Sequence, residues 1–282
     1  MRLIHRGKVK DVYELTNDNA LLFHFSDRIS AFDIQMNRDI PGKGEVLCKF
    51  AKFWFENLAT PNHMLGIRSE KEMLVKKLKM IPIECVVRGY FYGSLIDRYK
   101  NGDKSLILPP SFVPVIATEL PEPLFDPTTK SEKHDIPISK GKMLSLGLLS
   151  INEYNYVKEE SLSLYKSMKD IASAANFILA DVKFEFGRDS KSKIILADSL
   201  GPDEYRLWLK SNYQAGKLQE SYDKQVLRDW LTEVGFKKIV EQYASQGLKP
   251  PSPDIPQDLV AELKKRYIFA YEAITKSKFT DC

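Results

Sequence analysis

Cysteine is scarce: Cys48, Cys85 and Cys282 are the only three, with no Cys-x-x-Cys spacing and no histidine cluster beside them. Neither a disulfide framework nor a zinc site is expected, and a reducing cytoplasm is the natural setting. Long apolar runs are missing too. Nothing approaches the ~20 residues that span a bilayer, and Met1–Gly7 lacks the apolar core of a signal peptide, so neither membrane insertion nor export is expected. Charge of one sign is not in excess: 42 basic against 38 acidic residues leave +4, too little for a nucleic-acid surface and better suited to an anionic small ligand. Basic runs such as Lys76-Lys77-Leu78-Lys79 and Lys264-Lys265-Arg266 read as solvated faces. There is no internal repeat.

With 43% hydrophobic and 28% charged residues, the composition is that of a globular protein, and 282 residues allow two lobes facing each other across a cleft. Residues 1–85 read as a mainly β lobe. Val9–Leu15, Ala20–Phe25 and Met80–Val87 have strand length and composition, while Val46, Leu47, Phe50, Phe53, Trp54 and Leu58 form the stripe of one inserted helix. Residues 86–282 read as an α+β lobe. It begins with an irregular, proline-rich stretch from Leu108 to Ile138, too long for a plain connection. Ser150 and Glu153 have capping-box spacing ahead of a helix reaching about Asn176. Phe177–Phe186 and Lys193–Asp198 then form a hairpin through Gly187–Ser190, and two helical stripes follow, around Val226–Leu231 and Leu259–Ile274.

The most informative segment is Leu179–Gly187. Alternation puts Asp181, Lys183 and Glu185 on one face and Val182, Phe184 and Phe186 on the other. Taken alone, this fits a solvent-facing strand whose charges pair along the pleat. The next strand delivers Asp198 nearby, and carboxylates that converge repel unless a cation neutralises them. Hard oxygen ligands beside a triphosphate suit magnesium, with Lys183 placed to stabilise transferred charge. Arg6–Tyr13 adds a glycine and two lysines at a strand-turn-strand, where amides and ammonium groups meet phosphates, although it is not a Walker A loop. Arg88, Ser94 and Arg206 suit a phosphate monoester; Arg88 is equally suited to pair with Glu84, which interrupts its apolar strand.

These segments, in order, resemble the SAICAR synthetase family of de novo purine biosynthesis: Arg6–Tyr13, Ser26–Asp33, Ile40–Gly44, Ile81–Ser94, Leu179–Gly187, Asp198 with Pro202-Asp203, Arg206-Leu207-Trp208, and Ser221–Gln225 with Arg228. The resemblance covers nearly the whole chain. It implies a two-lobed α+β fold related to ATP-grasp and protein-kinase architectures, with ATP held between the lobes. It also implies ligation of L-aspartate to carboxyaminoimidazole ribonucleotide (CAIR), giving SAICAR, ADP and phosphate through an acyl phosphate, in a monomer or homodimer. By the same resemblance, Gly7, Lys8 and Lys10 cover the ATP phosphates, and Lys77, Leu78 and Met80 flank adenine. Asp181, Glu185 and Asp198 surround Mg2+; Glu84 and Lys183, with Asp198, serve the reacting carboxylate. Arg88, Ser94, Arg206 and Arg228, with Lys224, hold the ribonucleotide phosphate. Asp27, Arg28, Ser30 and the loop from Asp126 to Asp135, with Lys130 and His134, are implied for CAIR and aspartate.

Three positions depart from the family pattern: Tyr92 replaces a small residue, Ser199 stands where glutamate is usual, and Ser131–His134 is one residue short. The competing readings are a small-molecule kinase and a non-catalytic nucleotide sensor. No His-Arg-Asp loop or Asp-Phe-Gly element supports the kinase, and a sensor has no need of Asp181, Lys183, Glu185 and Asp198 together.

Overall fold

The computed structural model describes residues 1–16, 19–130 and 136–280. The chain opens with strands β1 (Arg2–Arg6), β2 (Lys10–Glu14), β3 (Ala20–Phe25), β4 (Ser30–Ala31) and β5 (Ile34–Gln35), followed by helix α1 (Lys43–Asn57). Strands β6 (Met64–Ser69), β7 (Glu72–Lys76), β8 (Lys79–Met80) and β9 (Ile83–Tyr90) lead to α2 (Ser94–Lys100). After β10 (Glu119–Phe125) and β11 (Thr128–Thr129) come α3 (Lys140–Ser145), the long α4 (Ile151–Ala174), β12 (Phe177–Arg188), β13 (Ile194–Ala197) and β14 (Tyr205–Leu209). Helices α5 (Gln225–Glu233), α6 (Phe236–Ser245) and α7 (Gln257–Thr275) complete the described chain.

Two sheets result. The first has the order β1-β2-β3-β7-β6; the second runs β10-β9-β12-β13, with β11 on β9 and with β14 and β8 also on β12. The sheets change between Lys76 and Lys79, so a boundary after residue 85 falls inside β9. One core crosses that division, joining Phe25 and Val75 of the first sheet, Phe50 and Trp54 of α1, Phe184 of β12 and Leu263 of α7. The segment between α1 and β6 links the sheets through the backbone: His63 donates to Leu196 (3.1 Å) while its carbonyl accepts from Lys76 (2.8 Å).

Strand β12 organises the second sheet. Its first half lies between β9 and β14, with Val182 opposite Val87 and Phe184 opposite Cys85, and its second half pairs with β13, Glu185 facing Ala197. Val182, Phe184 and Phe186 are buried at 1% exposure or less, which fixes the register because a one-residue slip would drive the charged row into the core. Helix α4 packs across β12 and β9, and a Cβ on Gly89 would lie 1.7 Å from the Tyr165 hydroxyl, so only glycine allows that approach.

The proline-rich stretch is more ordered than its composition suggests. Strands β10 and β11 form within it because β9 offers them an open edge: Phe125 pairs with Val87 and Thr128 with Glu84. His134 and the shortened segment Ser131–His134 lie outside the described residues. Among the described residues no helix is long and apolar enough to cross a membrane.

Candidate active site

A cleft of about 880 Å³ runs between the two sheets, and its lining changes character along its length. At one end the walls are apolar: Val12, Leu21 and Phe23 of the first sheet face Leu78 and Met80. The turn bearing Gly7 and Lys8 borders this end, closed by a Gly7 to Lys10 backbone hydrogen bond of 2.9 Å. A flat, uncharged ring fits between such walls, with anionic groups directed toward the lysines.

The middle is a lattice of lysines and carboxylates. Lys183 donates to Glu84 at 2.7 Å and reaches Glu185 at 3.5 Å; Lys130 also pairs with Glu185, and Lys10 with Asp198. Burial opposes the charge on Lys183, but Glu185, Glu84 and Asp198 together outweigh it and raise its pKa. Burial and the neighbouring Asp198 raise the pKa of Glu185. For Asp198 burial acts in the same direction, yet the ammonium groups of Lys10, Lys130 and Lys183 win and hold it below the usual carboxylate range. Asp198 sits just past β13 with φ of 64°, a left-handed conformation that Asp tolerates better than branched residues, and its carbonyl is 2.9 Å from His63 Nε2.

The far end is cationic. Arg88, Arg206, Lys224 and Arg228 line it together with Ser94, Asp181 and Asp203. Arg206 donates to Asp181 at 2.5 Å, and Arg88 donates to Asp126 at 2.6 Å and to Ser94 at 3.0 Å. The Arg228 guanidinium donates one hydrogen bond among the described residues, to the Gln225 amide oxygen at 3.4 Å, and burial depresses its pKa. Three guanidinium groups and an ammonium meet here; Asp126, Asp181 and Asp203 balance part of their charge, and the remaining N–H donors suit a dianion such as a phosphate monoester.

The family model described as SAICAR synthetase matches residues 3–243. The phosphoribosylaminoimidazole-succinocarboxamide synthase of Nitrosopumilus maritimus strain SCM1 is 51% identical over 275 residues, covering 98% of this chain and 98% of its own. The chain belongs to the SAICAR synthetase family. Its α+β architecture is shared with solved members: SAICAR synthase from Saccharomyces cerevisiae complexed with SAICAR superposes with a TM-score of 0.83 at 36% identity, covering 99% of this chain and 96% of that one. A type-2 SAICAR synthetase in complex with ADP gives 0.74 at 29% identity, covering 98% and 99%.

Most residues that the SAICAR synthetase resemblance implies do meet in the cleft: Gly7, Lys8, Lys10, Ser30, Leu78, Met80, Glu84, Arg88, Ser94, Lys130, Asp181, Lys183, Glu185, Asp198, Arg206, Lys224 and Arg228. Four do not line it. Lys77 turns outward to Glu14 (2.7 Å), and its backbone N–H goes to Asn19 (3.1 Å). Asp27 accepts from the Gly44 amide (2.9 Å), capping α1, and binds Lys71. Arg28 grips Asp11 (2.6 Å) and the Gly7 carbonyl (3.0 Å), so it supports the Gly7 turn. Asp126 is shared between Arg88 and Arg98 and orients Arg88. Glu84 is satisfied by Lys183 and Thr128, which decides the partner question: Arg88 belongs to Asp126 and Ser94.

The expected meeting of three carboxylates is also revised. Four residues along a strand span about 13 Å, and Asp181 is held at its end by Arg206, away from Glu185 and Asp198. Among the described residues no group of three His, Cys, Asp or Glu side chains is gathered as a metal-binding set. Glu185 and Asp198 remain adjacent, two buried oxygen donors that raise each other's charge cost and suit a hard divalent ion.

Sequence reasoning missed Glu204. It lines the cleft, and burial and the adjacent Asp203 push its pKa up to about 8 against the pull of Lys183. Asp203 is its sequence neighbour and Asp198 is close by, but the burial that dominates its shift and the ammonium groups of Lys10 and Lys183 come from elements distant in the chain, which the local sequence does not show.

Proposed function

We propose that this chain joins L-aspartate to CAIR at the expense of ATP, releasing SAICAR, ADP and phosphate, in a cytoplasmic purine-synthesis step. One observation carries the reading: a single cleft presents an apolar slot, a lysine-carboxylate centre and a cationic pocket in sequence. ATP occupies the first two, with adenine against Leu78 and Met80 and its phosphates under Gly7, Lys8 and Lys10. CAIR extends from Lys183 to the cationic pocket, where Arg88, Ser94, Arg206, Lys224 and Arg228 hold its phosphate.

In the first step a carboxylate oxygen of CAIR attacks the γ-phosphorus and ADP leaves. Lys183 and Lys10 stabilise the charge spread over the transferred group, and the fixed positions of both substrates supply the alignment. The aspartate amine then attacks the acyl carbon, the carbon-oxygen bond to phosphate breaks, and the amine loses a proton. Lys183 is already held by Glu84 and Glu185, so it needs little rearrangement at the moment of reaction. Glu185 and Asp198 are the residues that would hold magnesium, which when bound screens the phosphate oxygens from one another. Water exclusion falls to the cleft walls, Lys130 among them.

The test is an assay in which each component is withheld in turn. ADP release should require CAIR and aspartate together with ATP. Aspartate-independent phosphorylation of an alcohol would favour a kinase, and binding of ATP and CAIR without turnover at any magnesium concentration would favour a sensor.

A further inference from the structure

We propose that Tyr267, on α7, is a positioning residue for the anion site, acting through Asp203 to keep Lys224 directed into the cleft. Tyr267 lies beyond the residues matched by the family model and does not line the cleft itself. Its ring is in the core at 1% exposure, and its hydroxyl donates to Asp203 Oδ1 at 2.9 Å. The other oxygen, Oδ2, accepts from Lys43 at 2.9 Å; Lys43 is itself 1% exposed and also donates to the Arg28 carbonyl at 3.1 Å. Lys224 is the third group at this carboxylate, but it stands 3.7 Å from Oδ2, beyond a hydrogen bond.

The arrangement is a competition. Asp203 carries one negative charge between two buried ammonium groups: Tyr267 and Lys43 each hydrogen-bond one of its oxygens, while Lys224 is ion-paired with it at 3.7 Å without a hydrogen bond. Of the two ammonium groups Lys224 is the one Asp203 holds less closely, and it lines the cleft with Arg228. If the Tyr267 hydroxyl is removed, Oδ1 becomes a buried acceptor without a donor, which is costly. Lys224 is the cation at Asp203 that is not yet hydrogen-bonded to it. Drawn onto Oδ1, it would be withdrawn from whatever anion the cleft holds.

This inference rests on the reading of Lys224 as part of the anion site, and the experiment separates the two. The variants Tyr267→Phe, Lys224→Ala and the double variant are compared by steady-state kinetics with ribonucleotide as the varied substrate. Phenylalanine keeps the ring in place, and a melting curve checks that α7 remains docked. Tyr267→Phe should raise KM roughly three- to tenfold, the scale of one hydrogen bond, with kcat changed by less than about twofold. Lys224→Ala should raise KM as well, and adding Tyr267→Phe to it should have no further effect, because the residue it acts through is gone. Equal KM increments in both backgrounds, or an unchanged KM in Tyr267→Phe alone, would overturn the proposal while leaving the anion site intact. An unchanged KM in Lys224→Ala would overturn the anion reading of Lys224 and this proposal with it.

Discussion

At the scale of single residues, chemistry in this cleft depends on side chains that are already paired. Lys183 is the clearest case, since it touches Glu84 and Glu185 and faces the space where a phosphoryl group would move. Lys183→Ala is expected to leave the protein folded and to lower kcat by about 10² or more, the usual effect of removing a preorganised charge from a dry site; kcat measured beside a far-UV spectrum checks both halves. Glu204 gives a pH prediction. Its folded pKa, about 8, lies above the ordinary 4.5, so the folded state holds a proton that the unfolded chain releases as pH rises. Its contribution to stability is thus complete below pH 4.5 and is lost as pH climbs toward 8. Glu204→Gln removes that loss: its melting temperature should match the wild type near pH 4.5 and exceed it increasingly up to pH 8. A constant difference across that window would remove Glu204 as the cause. Lys183 was legible in the sequence because alternation alone assigns its face. Glu204 was not, because its burial and the lysines around it are supplied by strands distant in the chain, and the contacts of Asp27 and Arg28, which do not line the cleft, were not legible because a motif does not show what its residues touch.

At the scale of elements, what could be read from the sequence was what local chemistry determines. The Ser150 capping box forms as expected, Ser150 Oγ accepting from the Glu153 amide at 3.3 Å and Glu153 accepting from the Ser150 amide at 2.7 Å. Glu153 also takes Arg188 at 2.7 Å, so the start of α4 is fastened to the end of β12. Ser150→Ala should destabilise the protein by about 1 kcal/mol, seen as a lower denaturant midpoint with an unchanged slope. The β12–β13 hairpin was equally legible from its turn and its apolar runs. Strands β10 and β11 were hidden, because their pairing is dictated by the edge of β9 and not by their own proline-rich sequence. Helix α1 shows an intermediate case: its apolar stripe was plain, whereas its capping acceptor, Asp27, comes from outside the helix and could not be read from its flanks.

At the scale of the molecule, the two sheets share one core and divide the labour of the cleft. The first sheet supplies one wall of the apolar slot and the lysine turn, the second supplies Met80 of the facing wall and the charged row of β12, and α7 packs behind the cationic end through Tyr267 and Asp203. That division makes a specific chemical demand: the carboxylate held near Lys183 must be the group that receives the phosphoryl moiety. CAIR labelled with oxygen-18 in its carboxylate, turned over with ATP and aspartate, tests this most directly. Mass spectrometry of the released phosphate should find one labelled oxygen per phosphate, carried across when the amine displaces it. Unlabelled phosphate accompanying normal SAICAR formation would contradict the account.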